Sequence, residues 1–313
     1  AAGGAITQTG TLNVTGITTI AAAGQTVALG NANQFGGGVA VTGADVTLAD
    51  ADSIDLRAST VSGNLAVTAT TGTITQSGAL NVTGNSTFTA ADGQSISLTS
   101  AGNTFSGVQF ASSGRLDDVT LAAASSVTLQ ALDISGNLAV TSGGSLTQSG
   151  TLIVDGAADL STINAGGNIT LTSANQFGSI GADSQGSISI TEGSGDMNVR
   201  QIVATGAVRL EATGGAIVAD ATTSISGAGV DLRALSNIGT VTDLRTRQGV
   251  AVAVNPGSGA LSAHVADANG QINLALASGS APSAAPDSIT AGGNGRLLIQ
   301  STGDLSLDAF DSA

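Results

Sequence analysis

Apolar residues along this chain recur in pairs with one small or polar residue between them. Val46-Thr47-Leu48, Ile54-Asp55-Leu56, Leu65-Ala66-Val67, Leu80-Asn81-Val82 and Ile96-Ser97-Leu98 follow one another closely. The pattern continues through Val119-Thr120-Leu121, Val127-Thr128-Leu129, Ile169-Thr170-Leu171, Ile188-Ser189-Ile190 and Val208-Arg209-Leu210. Alternation over three to five residues predicts strands, because successive side chains leave a strand on opposite faces. Gly, Asn, Ser and Asp fill the short intervals between the triplets, and these residues tolerate turn geometry. No segment shows the 3.6-residue period of a helix, and runs such as Ala21-Ala22-Ala23 are too short to nucleate one.

A longer period lies over the short one. Ile6-Thr-Gln-Thr-Gly-Thr-Leu-Asn-Val-Thr-Gly16 returns as Ile74-Thr-Gln-Ser-Gly-Ala-Leu-Asn-Val-Thr-Gly84, and again as Leu146-Thr-Gln-Ser-Gly-Thr-Leu-Ile-Val-Asp-Gly156, at offsets of 68 and 72. Asn33-Gln-Phe35, Asn103-Thr-Phe105 and Asn175-Gln-Phe177 keep a similar step, as do Ser62-Gly-Asn-Leu-Ala-Val67 and Ser135-Gly-Asn-Leu-Ala-Val140. Sequence that returns in phase favours stacking of each copy on its predecessor. The expectation is an all-β fold, a parallel β-helix (β-solenoid) with short strands, roughly three per coil. A coil would take about 20–25 residues, with about three coils to each long repeat. The three phenylalanines would fill equivalent places near a corner.

The whole of 1–313 reads as a single continuous β-solenoid, with long repeats at approximately 6–73, 74–145 and 146–220. Residues 221–313 are less regular. All three prolines (Pro256, Pro282, Pro286) fall there, and 278–287 reads as a loop, although strand triplets resume at Ile272-Asn273-Leu274 and Leu305-Ser306-Leu307.

Composition narrows the picture. The chain lacks Cys, Trp, Tyr and Lys, and aromatic residues make up 2% of it, which suits a thin repeating core better than one large centre. A hydrophobic fraction of 41% argues against disorder. No stretch approaches the ~20 apolar residues of a membrane span. Ala1-Ala2-Gly3-Gly4 has neither the basic region nor the apolar core of a secretory signal, so the chain reads as processed or as an excerpt. A net charge of −14 repels nucleic acid and anionic lipid.

The chain resembles the β-helical repeat region of filamentous haemagglutinin-like exoproteins, the large bacterial adhesins secreted by the two-partner route. The likeness rests on the Ile-Thr-Gln-Ser-Gly-x-Leu-Asn-Val-x-Gly pattern, on Leu171-Thr-Ser-Ala-Asn-Gln-Phe177, and on Ser236-Asn-Ile-Gly-Thr240 leading to Leu244-Arg-Thr246. It implies a right-handed parallel β-helix, an extracellular or bacterial cell-surface location and an outer-membrane secretion partner. The family's Asn-Pro-Asn secretion signatures are not seen; Asn255-Pro256-Gly257 is a fragment of one.

Candidate chemistry is sparse. His264 is the single histidine, no Gly-x-Ser-x-Gly elbow accompanies it, and one histidine without cysteine leaves too few ligands for zinc. Asp117-Asp118 with nearby Arg115 is the stronger rival, since paired carboxylates serve β-helical pectin-degrading enzymes as calcium ligands or as acid and base. The competing reading is a turn before Val119-Thr120-Leu121. Asp50, Asp52 and Asp55 form the densest acidic stretch, read as a solvated face because the Gly-Gly-x-Gly-x-Asp arrays of calcium-binding rolls are missing. The sequence therefore offers no catalytic, cofactor-binding or metal residue and no cofactor. It points to a structural or adhesive rod, the shaft of a secreted adhesin, and not to an enzyme. A filament or sheath subunit polymerising head to tail through its end coils is the alternative, and a β-helical polysaccharide lyase or hydrolase comes third. Surface glycan or a host-cell receptor are the expected partners, without nucleic acid.

Overall fold

The computed structural model describes residues 3–243, 247–277, 289–291 and 293–301. The loop expected at 278–287 and the triplet Leu305-Ser306-Leu307 lie outside the described residues. The chain divides into two compact units, 1–156 and 157–313. Each is all-β among its described residues, with parallel strands stacked as a β-solenoid, as the alternation of the sequence requires.

In the first unit two main faces rise coil by coil. On the first face Ile6 pairs with Val27, Val27 with Val46 and Val46 with Leu65, steps of 21, 19 and 19 residues. On the second, Ile54 pairs with Ile74, Ile74 with Ile96 and Ile96 with Val119, steps of 20, 22 and 23. The triplets read from the sequence lie within such strands, their apolar members pointing inward: Val46, Leu48, Ile54, Leu56, Leu65, Val67 and Ile74 are all at most 2% exposed. Each such side chain contributes about 1.5–3 kcal/mol on leaving water. Because every coil places an aliphatic residue above another, the core is a set of ladders.

A third, shorter side completes the coil. Ser59–Val61 pairs with Leu80–Val82 there, so three strands per coil is the observed arrangement. This side changes position within the unit. Ser59–Val61 and Leu80–Val82 each follow a second-face strand, whereas Leu132–Ile134 follows the first-face strand Val127–Leu129. Between the two arrangements the coil from Ile96 to Val119 touches both positions, through the bridges Asn81 to Thr104 and Leu116 to Ile134. Its bulk comes from an aromatic cluster. Phe88 lies 6.1 Å from Phe105, edge to face, and 6.1 Å from Phe110, stacked.

The change of side corrects the expected three coils per long repeat. Ile6 stands on the first face, its copy Ile74 on the second, and Leu146, paired with Val127, on the first again. The marker Ser62–Val67 enters a first-face strand and Ser135–Val140 a second-face one. Each long repeat therefore covers about three and a half coils, and successive copies are related by a half turn. The physical reason is that both faces carry an aliphatic inward row, so either accepts the same sequence.

The second unit is built likewise. Ile169 pairs with Ile188, Ile188 with Val208 and Val208 with Val230 on one face, while Met197, Ile217 and Ile238 align on another. From Val230 to Leu261 the step widens to 31 residues. The added length includes an antiparallel pair, Thr240–Asp243 with Gln248–Val250, tied back through Asn273 Nδ2, which donates to the Thr240 carbonyl at 2.7 Å. Ile272-Asn273-Leu274 lies within the strand Gln271–Leu276.

Candidate functional site

The most elaborate polar structure in the molecule is the buried asparagine corner. Asn33, Asn103 and Asn175 are each 0% exposed, and a buried amide must find partners for its donors and acceptor. Asn103 Oδ1 accepts from Leu80 N at 2.8 Å and from Gln76 Nε2 at 2.9 Å, while its Nδ2 donates to Gln76 Oε1 at 2.8 Å and to the Ala122 carbonyl at 2.9 Å. One side chain thus binds the coil beneath and the coil above. Asn33 repeats the arrangement with Leu12 N, Gln8 and the Ala49 carbonyl. In the second unit Asn175 Nδ2 donates to the carbonyls of Leu171 and Thr191. The glutamine of Ile6-Thr-Gln8 precedes its asparagine by 25 residues and that of Ile74-Thr-Gln76 by 27, one coil in each case.

The phenylalanine two residues on from each asparagine is buried, as expected of a corner. What the sequence reading missed is the acid on the next coil above it. Asp50 Oδ2 accepts from Phe35 N at 3.0 Å and its Oδ1 from Asp52 N at 3.1 Å. Glu192 takes the corresponding place in the second unit, accepting from Phe177 N at 3.3 and 3.2 Å. The corner at Asn103 has Ala123 there instead. Burial pushes the Glu192 carboxyl up to about 8, against the opposing pull of the Phe177 N–H.

Asp50, Asp52 and Asp55 do not form one acidic face. Asp50 is 1% exposed and turned inside, Asp52 accepts from Thr71 Oγ1 at 3.4 Å, and Asp55 accepts from Ser77 Oγ at 2.7 Å. The solvated reading fails for Asp50 because two backbone N–H groups await it at the corner.

Asp117 and Asp118 belong to a different ladder. Asp118 Oδ1 accepts from Asn137 N at 2.7 Å, one coil on. Asp45 does the same for Asn64 N at 2.8 Å, and Asn64 in turn for Asn85 N at 2.9 Å. The glycine of Ser-Gly-Asn follows from this contact: a Cβ on Gly136 would stand 2.4 Å from Asp118 Oδ1 and 2.7 Å from the Asp117 carbonyl oxygen. Arg115 does not join the pair. Its guanidinium reaches Asp133 at 2.6 Å and Asp155 at 2.5 Å, spanning two coils. The hydrogen bond to Arg115 holds the Asp155 carboxyl below its ordinary value. In the second unit Arg200 likewise reaches back to Asp159 and the Ala158 carbonyl.

His264 sits exposed on the strand Leu261–Val265, in register with Arg233 and Thr290. Ser262 Oγ, on the same strand, donates to Asp231 Oδ1 at 2.6 Å, so serine and histidine are not joined as nucleophile and base would be. Around them Arg209, Glu211, Asp231 and Arg233 pair at 3.0 to 3.6 Å. Elsewhere the outward rows are plain. On the first unit's first face the row runs Thr7, Ala28, Thr47, Ala66, Thr87, Gln109. Among the described residues no three His, Cys, Asp or Glu converge as a metal site requires, and no helix is long and apolar enough to cross a membrane.

Comparison with curated proteins and with solved structures gave no match. Comparison with protein families matched residues 1–42, 43–112 and 116–182 to one family, described as repeats of unknown function. The second and third matches begin 73 residues apart, the step already carried by the Ser-Gly-Asn-Leu-Ala-Val marker. With more than half its length in three consecutive matches, the chain belongs to the family Repeats of unknown function (DUF5649).

Proposed function

We propose that this β-solenoid repeat protein serves as a structural rod, the shaft of a secreted bacterial cell-surface adhesin, and performs no catalysis. The observation that carries the reading is the use to which its polar side chains are put. Asn33, Asn103, Asp45, Asp118 and Arg115 all tie one coil to another. Residues arranged to hold a scaffold in this way leave recognition to other surfaces. The likeness of the repeats to filamentous haemagglutinin-like shafts supports the adhesive and extracellular parts of the reading. Antibody raised against the purified chain tests it on the cells that make the protein. Labelling of intact, unpermeabilised cells or of their medium is expected; labelling only after lysis would overturn the surface assignment. Incubation with pectic and other acidic polysaccharides tests the rest, and release of reducing ends that is lost in the D117N/D118N variant would replace the rod with an enzyme.

A further inference from the structure

We propose that the corner at Asn175 and Phe177 is an acid-strengthened clasp, in which Glu192 holds a proton while the corner is closed and surrenders it when the corner opens. Glu192 is 0% exposed and stands in register with Asn175 on one side and Ala212 on the other. Among the described residues its carboxyl has a single hydrogen-bond donor, Phe177 N, shared between the two oxygens. Asp50, at the matching corner of the first unit, has a separate backbone N–H for each oxygen. An ionised carboxylate out of water needs several donors or a cation, and Glu192 has neither.

The charged groups on the strands packed against Glu192 do not face it. On Val208–Ala212 the inward residues are Val208, Leu210 and Ala212, so Arg209 and Glu211 point outward. On Ile169–Ser184 the one charged residue is Asp183, which is exposed. Asp196, in the turn that follows, is engaged with Ala216 N at 2.8 Å. Glu192 itself is the only charged residue of its strand, Ile188–Glu192.

The direction of the effect follows from linkage. The Glu192 carboxyl rises from an ordinary value of 4.5 in the open chain to about 8 in the closed corner. The closed form therefore binds more protons than the open one between those values. Its advantage is complete below 4.5, declines as pH rises, and levels off above 8. Opening of the corner accordingly increases about tenfold per pH unit within the window.

The chain contains only two glutamates, Glu192 and Glu211, which makes the test direct. Protein labelled with 13C at the glutamate carboxyl gives two resonances, and E211Q assigns them without touching the corner. The Glu192 signal is expected to remain that of the protonated acid through pH 6.5 and to change with a midpoint near 8. A midpoint below 6 would overturn the proposal. Amide exchange at Phe177, Gly193 and Thr213, corrected for the intrinsic rate, provides the second reading. Opening should grow about tenfold per unit from pH 5 to 8 in the parent chain and stay level in E192Q; an equal slope in both would sink the idea. Should E192Q not fold, the carboxyl titration decides alone.

Discussion

The corners at Asn33 and Asn103 are made of the same parts and stand on opposite faces of the first unit. At each, a glutamine from the coil beneath and an asparagine form a reciprocal amide pair, and the asparagine also reaches a carbonyl of the coil above. They differ in one component. Asp50 supports the first corner, while Ala123 occupies that place at the second. The difference separates what closes a corner from what merely trims it: the amide pair is common to both, and the carboxylate is dispensable.

The largest expected effect follows from that division. Asn103→Ala removes four hydrogen bonds of 2.8 to 2.9 Å: it leaves Leu80 N and the Ala122 carbonyl without their side-chain partner and takes both Asn103 contacts from Gln76, whose amide keeps only the Gly78 carbonyl and Ser100 N. Hydrogen bonds of this kind contribute about 1 kcal/mol each, and orphaned buried groups cost about 1–3 kcal/mol. The substitution should therefore destabilise the chain by about 4 kcal/mol, measured as a shift of the denaturant midpoint at unchanged slope. A loss below about 1 kcal/mol would mean that the corner closes without its asparagine.

Asp50→Ala is the next step and tests the other half. It converts the first corner to the composition of the second, leaving Phe35 N and Asp52 N to find water. A cost of about 2 kcal/mol, smaller than that of Asn33→Ala in the same assay, is expected. Equal costs would show that the carboxylate is as necessary as the amide wherever it occurs, and that the Asn103 corner owes its closure to something else.

How far these features were legible in the sequence depends on their range. The strands were legible because inward and outward residues alternate at Val46-Thr47-Leu48 and its kin, and the stacking because the copies return in phase. The half turn between copies was not. It depends on the third side moving from one edge of the coil to the other around Thr104 and Leu116, and nothing in the local pattern of either copy records on which face it lies. The site residues divide in the same way. The asparagine was visible as a marker, yet its glutamine partner lies 27 residues earlier at Asn103 and its role appears only once coils are stacked. Asp117-Asp118 looked chemical because two adjacent acids are rare in this chain, whereas the stacked structure gives Asp118 the duty that Asp45 performs with no second acid beside it. Glu192 went unnoticed because a glutamate at the end of Ile188-Ser189-Ile190 reads as a solvated strand end until Phe177 covers it.

A smaller effect attends the surface arginine. Arg115 ties Asp133 and Asp155 across two coils, but its side chain is 37% exposed and those of its partners 56% and 48%. Exposed pairs of this type are screened by salt. Arg115→Gln should lower the melting temperature by about 2 °C in dilute buffer, and the gap from the parent should close in 1 M salt, where the Debye length is about 3 Å. In acid the gap should also narrow, because the pair's contribution is present above the ordinary pKa of Asp155 and is lost as pH falls through the depressed one. A gap insensitive to salt would assign the effect to the hydrogen bond from Arg115 Nη2 to the Ile134 carbonyl.

The smallest effect has the opposite sign and comes from two buried serines in the same unit. Ser59 Oγ accepts from Val41 N at 3.0 Å and donates to the Arg57 carbonyl at 2.9 Å. Ser86, 0% exposed in the inward row between Leu65 and Val108, has no partner for its hydroxyl among the described residues. A hydroxyl that loses water without gaining a hydrogen bond is a net cost, whereas a paired one is a modest gain. Ser59→Ala should therefore destabilise by about 1 kcal/mol, and Ser86→Ala should stabilise by up to about 1 kcal/mol. Ser86 precedes Phe88 on its strand by one outward residue, and its small side chain sits where a coil must also accommodate the Phe88, Phe105 and Phe110 rings. Size, and not the hydroxyl, is then what the position requires. Equal losses for both serines in denaturant unfolding would contradict this and would place a hydrogen bond on Ser86 after all.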